Sequence, residues 1–257
     1  MDYITGVSGF VGSHLLNALD TNVFSIPHAQ IATTTLKRFD RFYFLSTYGN
    51  MYGQNDDDLI FQANITDLVH ILAESRRFKF KSFVYLSSSS VKLRMQTMYS
   101  RCKRAAEEIL LSYMEKYQQP VCIIRPFSIT GVGEQSQHLI PTLIRSCLTG
   151  EKVPFIPTPV HDYIDVADVI AGILNLSGNS IKGIFELGTG KKHTNQEVLD
   201  LVCNITKKKA NIQVVQSLRP YDNQDWYSVN FRVRSWGWLP KKTLEQSITE
   251  MVQAYEK

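Results

Sequence analysis

The stretch DYITGVSGFVGSHLLNAL, residues 2–19, decides the fold. Asp2 to Thr5 read as a strand, glycines follow at 6, 9 and 12, and a helix-forming run comes next. Glycine permits a tight strand-to-helix turn, and without side chains the backbone N–H groups can approach an anion such as a pyrophosphate. The start of the helix adds a dipole of the right sign. Three glycines alone are a weak signal, because many ordinary turns carry them. The strand before and the helix after make this one a dinucleotide-binding turn.

Outward from this stretch, strand-like runs alternate with amphipathic helical segments, the mark of βαβ units and a parallel sheet. Strands are expected at 2–5, 22–26, 41–46, 82–87, 121–126 and 183–187. Helices are expected near 12–19, 62–77, 97–117, 137–148, 166–176 and 194–207. Ile65, Leu68, Val69, Leu72 and Ala73 share one face of the second of these. The fold class is therefore α/β, a Rossmann-type doubly wound parallel sheet with a small C-terminal substrate-binding lobe. The sequence divides into a nucleotide-binding domain at 1–127, with 160–190 returning to it, and a smaller lobe over 128–257. One departure stands out. Only about fifteen residues, with no clear helix, separate the second and third strands, where doubly wound folds spend more chain.

Composition sets bounds on function. The 257 residues are 44% hydrophobic and 20% charged, as in ordinary soluble globular proteins. A net charge of +4 suits an anionic small ligand but lacks the dense basic stripe of a nucleic-acid binder. The four cysteines, Cys102, Cys122, Cys147 and Cys203, are scattered along the sequence without a C-x-x-C pair, which argues against a disulfide framework or a metal site. No apolar run approaches the roughly 18 residues of a membrane span, and a strand at residues 2–5 leaves no room for a leader. A cytoplasmic protein is expected.

Dinucleotide sites of this kind usually place an Asp or Glu about 20 residues beyond the glycines to hold the adenosine ribose. Here that region reads FSIPHAQ, with no carboxylate. A 2′-phosphate would meet no repulsion, and His28, Lys37 or Arg38 could face it. The expected cofactor is NADP or NAD, with NADP favoured.

A second stretch, VYLSSSSVKLRMQTMYSRCK at 84–103, carries the chemistry. Of 12 tyrosines only Tyr99 has a lysine four residues later, and on a helix Tyr99 and Lys103 would share a face. A phenol with a pKa near 10 shuttles protons poorly at neutral pH, and a neighbouring ammonium lowers that pKa. A serine at the end of the preceding strand can share the substrate carbonyl oxygen. Such a set suits hydride transfer between a nicotinamide and a carbonyl. A lone Tyr–Lys pair is more often a surface feature. The glycine turn, a serine-tipped fourth strand and Tyr-x-x-x-Lys in that order reverse the balance.

With these motifs the chain resembles the extended short-chain dehydrogenase/reductase family, in its nucleotide-sugar epimerase/dehydratase branch. The likeness runs through TGVSGFVGSHL (5–15), FLSTYG (44–49), Asn64, FVYLSSSSV (83–91), YSRCKRAAEE (99–108) and IIRPFSITGVGE (123–134). It continues in HDYIDVADV (161–169), ELGTGKKHTNQEV (186–198), RPYD (219–222) and GWLPKKTLEQSI (237–248). The resemblance implies that Ser88, three residues before Val91, is the catalytic hydroxyl, Tyr99 the acid/base, and Lys103 the holder of the nicotinamide ribose. It implies a pyrophosphate turn at Gly6, Gly9, Phe10, Val11 and Gly12. Leu45, Ser46, Ser87 and Pro126 would line the cofactor. Ser88, Ser128, Arg219 and Asp222 would meet the substrate, with Arg219 on the diphosphate of a sugar nucleotide. Asp162, Asp168, Trp236 and Trp238 are expected to serve the fold rather than the chemistry.

The departures narrow the reaction. The 4,6-dehydratases of this branch carry an Asp-Glu pair directly after the catalytic hydroxyl residue, where this chain has Ser89 and Ser90. A short adenosine segment without its acid fits a reductase that exchanges cofactor each turnover. The resemblance thus implies an NAD(P)H-dependent reductase of a nucleotide-linked 4-keto sugar, acting on a nucleotide-diphosphate sugar. The alternatives are a C4 epimerase with bound NAD and a non-catalytic cofactor-binding scaffold. It also implies a homodimer packed through the helices near 62–77 and 97–117.

Overall fold

The computed structural model describes residues 1–20, 22–51, 53–217, 222, 226–229 and 231–256. The chain divides into two compact units, Met1–Pro126 with Ile170–Glu186, and Phe127–Val169 with Leu187–Lys257.

The first unit is built on β1 (Asp2–Thr5), α1 (Phe10–Ala18), β2 (Val23–Ile26), β3 (Arg41–Phe44), α2 (Asp57–Phe61) and α3 (Asp67–Ser75). It continues with β4 (Ser82–Leu86), α4 (Met98–Tyr117) and β5 (Val121–Pro126). With β6 (Gly183–Leu187), six strands form one sheet in the order β6-β5-β4-β3-β1-β2. β1 pairs in parallel with both β2 and β3, and β3–β4 and β4–β5 are parallel as well. Side chains alternate across this sheet as the pleat requires. Phe42, Phe44, Phe83 and Tyr85 enter a core with Leu68, Ile71 and Leu72 of α3 and Leu110 and Tyr113 of α4. The Phe42 and Phe83 rings stack at 5.1 Å. Tyr43, between the two phenylalanines, points the other way and bonds Ser177 of α6 (Val166–Gly178) at 3.2 Å. Helices thus cover both faces.

The short connection after β2 now has its explanation. In the usual doubly wound order a third strand lies outside the second. Here β2 is the edge, and Pro27–Asp40 passes through a single 3₁₀ segment, His28–Thr33, before returning as β3 on the far side of β1. Ile31, Leu36 and Phe39 of this connection are buried with Leu68 and Ile71. The chain packs the connection as core and forgoes a strand.

The expected helix at 62–77 also differs. It starts at Asp57, capped by Asp56, and loosens into a π-helical turn over Gln62–Thr66 before continuing as α3. α4 follows the expected 97–117 closely, with Thr97 capping the Ser100 N–H at 3.2 Å.

The second unit contains short sheets and three packed helices: α5 (Leu139–Thr149), α7 (Asn195–Thr206) and α8 (Leu244–Tyr255). Ile140, Leu143 and Ile144 meet Val198, Leu199 and Val202 and, from α8, Ile248, Met251 and Val252. α8 was not among the expected helices, although Thr243 and Gln246 form a full capping box at its start. Cys147 and Cys203, far apart in sequence, bring their sulfurs within 3.9 Å on α5 and α7, and all four thiols are free. Asp162 and Asp168 bind backbone as expected, Asp168 accepting from the Lys241 and Lys242 N–H groups. Trp238 is core and donates to the Asp168 carbonyl at 3.0 Å, whereas Trp236 is exposed, contrary to expectation. Among the described residues no helix is long and apolar enough to cross a membrane.

Candidate active site

The glycine turn is held by backbone contact. Gly6 has φ +75°, in the left-handed region that glycine favours, and a Cβ there would lie 2.8 Å from the Ser46 nitrogen. At Gly12 a Cβ would lie 2.0 Å from the Gly6 carbonyl oxygen. The Gly9 N–H closes the turn on Gly6 O at 3.0 Å, and α1 starts immediately afterwards with no acid in its first turn. Phe10 is buried and Val11 half-buried. The end of β3 is tied alongside, since the buried Thr5 hydroxyl accepts from both the Leu45 and Ser46 N–H groups at 3.1 Å. A close-approach turn, an acid-free helix start and fixed neighbouring backbone fit a dinucleotide pyrophosphate. Gly6, Gly9, Phe10, Val11 and Gly12 would hold it, with Leu45 and Ser46 beside them.

β4 and α4 bring the three chemical side chains together. Ser88, in extended conformation just past β4, accepts from the Ser90 N–H at 3.1 Å and so caps the 3₁₀ turn Ser89–Lys92. Tyr99 stands in the first turn of α4, and the Ser88 and Thr47 hydroxyls act on its phenol. Lys103, one turn on, is 1% exposed. Its Nζ lies 5.8 Å from the Tyr99 ring centre and 4.7 Å from that of Tyr85, and it donates to the Leu86 carbonyl at 2.9 Å.

The electrostatics differ from the simple expectation that lysine lowers the tyrosine. Burial raises the Tyr99 phenol above its ordinary value, and the Thr47 and Ser88 hydroxyls offset part of the rise. Burial also brings Lys103 down to about 7, against the pull of Glu107. Both groups are thereby favoured in their neutral forms. Tyr99 is a protonated phenol at neutral pH, a state suited to giving up a proton.

Ser87 has a different environment from Ser88. Its hydroxyl donates to Glu107 at 2.5 Å, and Glu107 also takes a two-pronged contact from Arg125 with one arm at 2.9 Å. This triad, buried at Ser87 and Glu107, fixes the end of β4 against β5 and α4. Pro126 closes β5 and is buried.

Sequence reasoning gave no role to the side chains of Thr47 or Asn64. Thr47 donates to Asn64 Oδ1 at 2.7 Å, and Asn64, fully buried in the π-helical turn, donates to the Tyr48 and Ile60 carbonyls. A buried amide where a helix loosens would have been the sequence signal, but the loosening itself was not legible.

In the second unit, Ser128 lies 3.4 Å from His161 Nδ1, and the buried Asp222 accepts from the Ser217 hydroxyl. Arg219 lies outside the described residues. His28, one of the groups considered for a 2′-phosphate, sits 3.6 Å from the buried carboxylate of Asp67.

Among curated proteins, the chain is 22% identical to the GDP-6-deoxy-D-mannose reductase of Pseudomonas aeruginosa over 99% of its own length and 96% of that protein. It is 21% identical to a trifunctional UDP-glucose 4,6-dehydratase/UDP-4-keto-6-deoxy-D-glucose 3,5-epimerase/UDP-4-keto-L-rhamnose-reductase of Arabidopsis thaliana, covering 98% of this chain and 46% of the relative. It spans between 24% and 46% of the length of three trifunctional relatives of this kind, and 47% of the dTDP-D-glucose 4,6-dehydratase of Mus musculus. Among solved structures, RMD from Pseudomonas aeruginosa complexed with NADPH superposes with a TM-score of 0.84 at 19% identity, covering 99% and 98% of the two chains. UDP-glucose 4-epimerase of Thermus thermophilus, in complex with NAD, gives 0.84 at 20% identity with the same coverage. These likenesses show the fold, and the neighbours carry NAD or NADPH. A sequence model for the NAD dependent epimerase/dehydratase family matches residues 53–188, more than half of the sequence. The chain belongs to the NAD dependent epimerase/dehydratase family.

Proposed function

We propose that this protein is an NAD(P)H-dependent reductase of a nucleotide-linked 4-keto sugar. The observation that carries the reading is the meeting of Ser88, Tyr99 and Lys103 beside the glycine turn's strand ends, with Tyr99 kept as a neutral phenol by burial. The cofactor, when bound, supplies the hydride. Tyr99 gives its proton to the carbonyl oxygen, Ser88 orients that oxygen, and Lys103 exchanges its Leu86 contact for the ribose hydroxyls of the nicotinamide half. Leu45, Ser46, Ser87 and Pro126 line the cofactor by their backbone and apolar surface. Ser128, Arg219 and Asp222 bind the sugar nucleotide, with Arg219 on its diphosphate. Ser89 and Ser90 offer hydroxyls where a dehydratase needs carboxylates, which weighs against loss of water from the sugar. The exposed Phe61 and Val69 on α2 and α3 support a homodimer through these helices and α4.

The test is oxidation of NADPH and NADH by the purified protein with dTDP-, CDP-, GDP- and UDP-linked 4-keto-6-deoxy sugars. Turnover with one of them, abolished by Tyr99→Phe while cofactor still binds, is the expected result. Stoichiometric NAD in the purified protein, with interconversion of C4 epimers and no net oxidation of added cofactor, would replace this reading by an epimerase. Cofactor binding with no turnover of either kind would make the protein a scaffold.

A further inference from the structure

Cys147 and Cys203 meet at the edge of the second unit's core. Each sits in the last turn of its helix, α5 and α7, and their sulfurs are 3.9 Å apart. Leu143 and Ile144 of α5 pack with Val198, Leu199 and Val202 of α7, so an apolar seam keeps the two helices side by side. Cys147 is 5% exposed, and its thiol also lies 3.7 Å from the Lys208 carbonyl. Cys203 is half-buried, and Lys207, Lys208 and Lys209 just beyond it are exposed. Neither thiol has a part in the chemistry proposed for Ser88, Tyr99 and Lys103.

We propose that Cys147 and Cys203 are a reversible thiol–disulfide site, oxidised by glutathione disulfide, that ties α5 to α7. The more accessible thiol reacts first. Cys203, as its thiolate, attacks one sulfur of glutathione disulfide. That S–S bond breaks, one glutathione leaves with the proton Cys203 gave up, and Cys203 carries the other. The oxidant's carboxylates make it an anion, and the three exposed lysines favour its approach. Cys147 then gives up its proton and attacks the Cys203 sulfur, and the second glutathione leaves with that proton. The two protein thiols lose two electrons, and glutathione disulfide gains them. The sulfurs have about 2 Å to close to reach bonding length. Environment sets the order of the steps. Burial pushes the Cys147 thiol up to about 11, and a helix C-terminus disfavours an anion. Cys147 is thereby a poor attacker on a disulfide in solution and acts once a reactive sulfur is held beside it. Closing the loop from 147 to 203 restricts the unfolded chain, so the bond stabilises the fold.

The test needs no substrate and is independent of the reductase reading. The reduced full chain is incubated with glutathione disulfide under native conditions, its mass is followed, and its peptides are mapped without reduction. The expected product has lost two hydrogens, carries no glutathione, and yields one cross-linked peptide joining Cys147 to Cys203. Dithiothreitol should reverse it. The thermal midpoint of the oxidised protein should lie about 5–10 °C above that of the reduced protein. Cys147→Ala should stop at the mixed disulfide, with glutathione retained on Cys203, and Cys203→Ser should take up no glutathione at Cys147. Wild-type protein that keeps glutathione on Cys203, or whose Cys147 and Cys203 both remain open to alkylation after prolonged oxidation, overturns the inference. A cross-link that fails to raise the midpoint overturns it as well.

Discussion

Lys103 Nζ donates to the carbonyl oxygen of Leu86 at 2.9 Å, in a site where the lysine is almost fully buried. Burial lowers its pKa from 10.5 to about 7. Because the folded value lies below the ordinary one, the unfolded chain binds the extra proton between those two pH values. Stability from this site therefore rises with pH across that window, and the cost of the buried charge is present in full below about pH 7. Lys103→Met removes the titration. Its stability relative to wild type should be most favourable below pH 7 and decline towards pH 10.5, by up to about 5 kcal/mol in all. Urea denaturation of both proteins at pH 6, 8 and 10 measures this, and a difference that does not change with pH would contradict it.

Gly12→Ala should break the turn. Its methyl would sit 2.0 Å from the Gly6 carbonyl oxygen and 2.7 Å from the Gly6 carbonyl carbon, both backbone atoms with no rotamer to escape into. We expect a loss of about 1–3 kcal/mol or more and no measurable NADH or NADPH binding by fluorescence titration. For stability alone Gly9→Ala is the comparison, because its Cβ would meet the same oxygen at 3.3 Å, a contact that a shift of a few tenths of an ångström relieves. Equal stability of the two variants would mean that the turn relaxes more easily than its contacts imply.

This turn was legible in the sequence because its signal is local: a strand, three glycines and a helix within eighteen residues. The Tyr99–Lys103 pair was legible for the same reason, as helical spacing alone places both on one face. What escaped notice depends on distant partners. The absence of a third strand was visible only as a short connection, since the sequence does not say that Ile31 and Phe39 would be claimed by the core. The expected lowering of the Tyr99 pKa assumed that its lysine neighbour would outweigh burial, and burial prevails for both residues. The bond from Thr47 to Asn64 joins side chains seventeen residues apart, and no spacing rule pairs them.

Glu107, buried, and Arg125, half-buried, form a two-pronged ion pair that also receives the Ser87 hydroxyl. Glu107→Gln leaves the guanidinium without its counter-charge while preserving an acceptor for Ser87. The expected loss is about 3 kcal/mol, at the lower end for broken buried pairs because Arg125 keeps some exposure. Glu107 also supports the charge on Lys103, so the variant should move the Lys103 titration further below 7. Denaturation of Glu107→Gln with and without Lys103→Met, across pH, reads both effects. A variant as stable as wild type would show that the pair contributes little.

Asp162 takes four hydrogen bonds on one carboxylate that is fully buried. The Thr189 N–H and hydroxyl reach Oδ1 at 2.9 and 2.5 Å, and the Gly190 and Ser228 N–H groups reach Oδ2 at 2.9 and 3.0 Å. All are donors, so Asp162→Asn, though nearly the same shape, must point an NH₂ at one pair of them whichever way it is flipped. Water cannot easily relieve the clash, because even a Cβ on the adjoining Gly188 would lie 2.5 Å from Oδ2 and from Ser228 Oγ. Facing Thr189 the NH₂ leaves one N–H unpaired, since the hydroxyl can turn to accept, and facing Gly190 and Ser228 it leaves two, at a cost of about 1–3 kcal/mol for each. Amide hydrogen exchange should quicken at either Thr189 or the Gly190–Ser228 pair, depending on which oxygen position the NH₂ takes. An Asp162→Asn protein with wild-type stability and unchanged exchange at all three amides would mean that the carboxylate's charge and acceptors are dispensable to this corner.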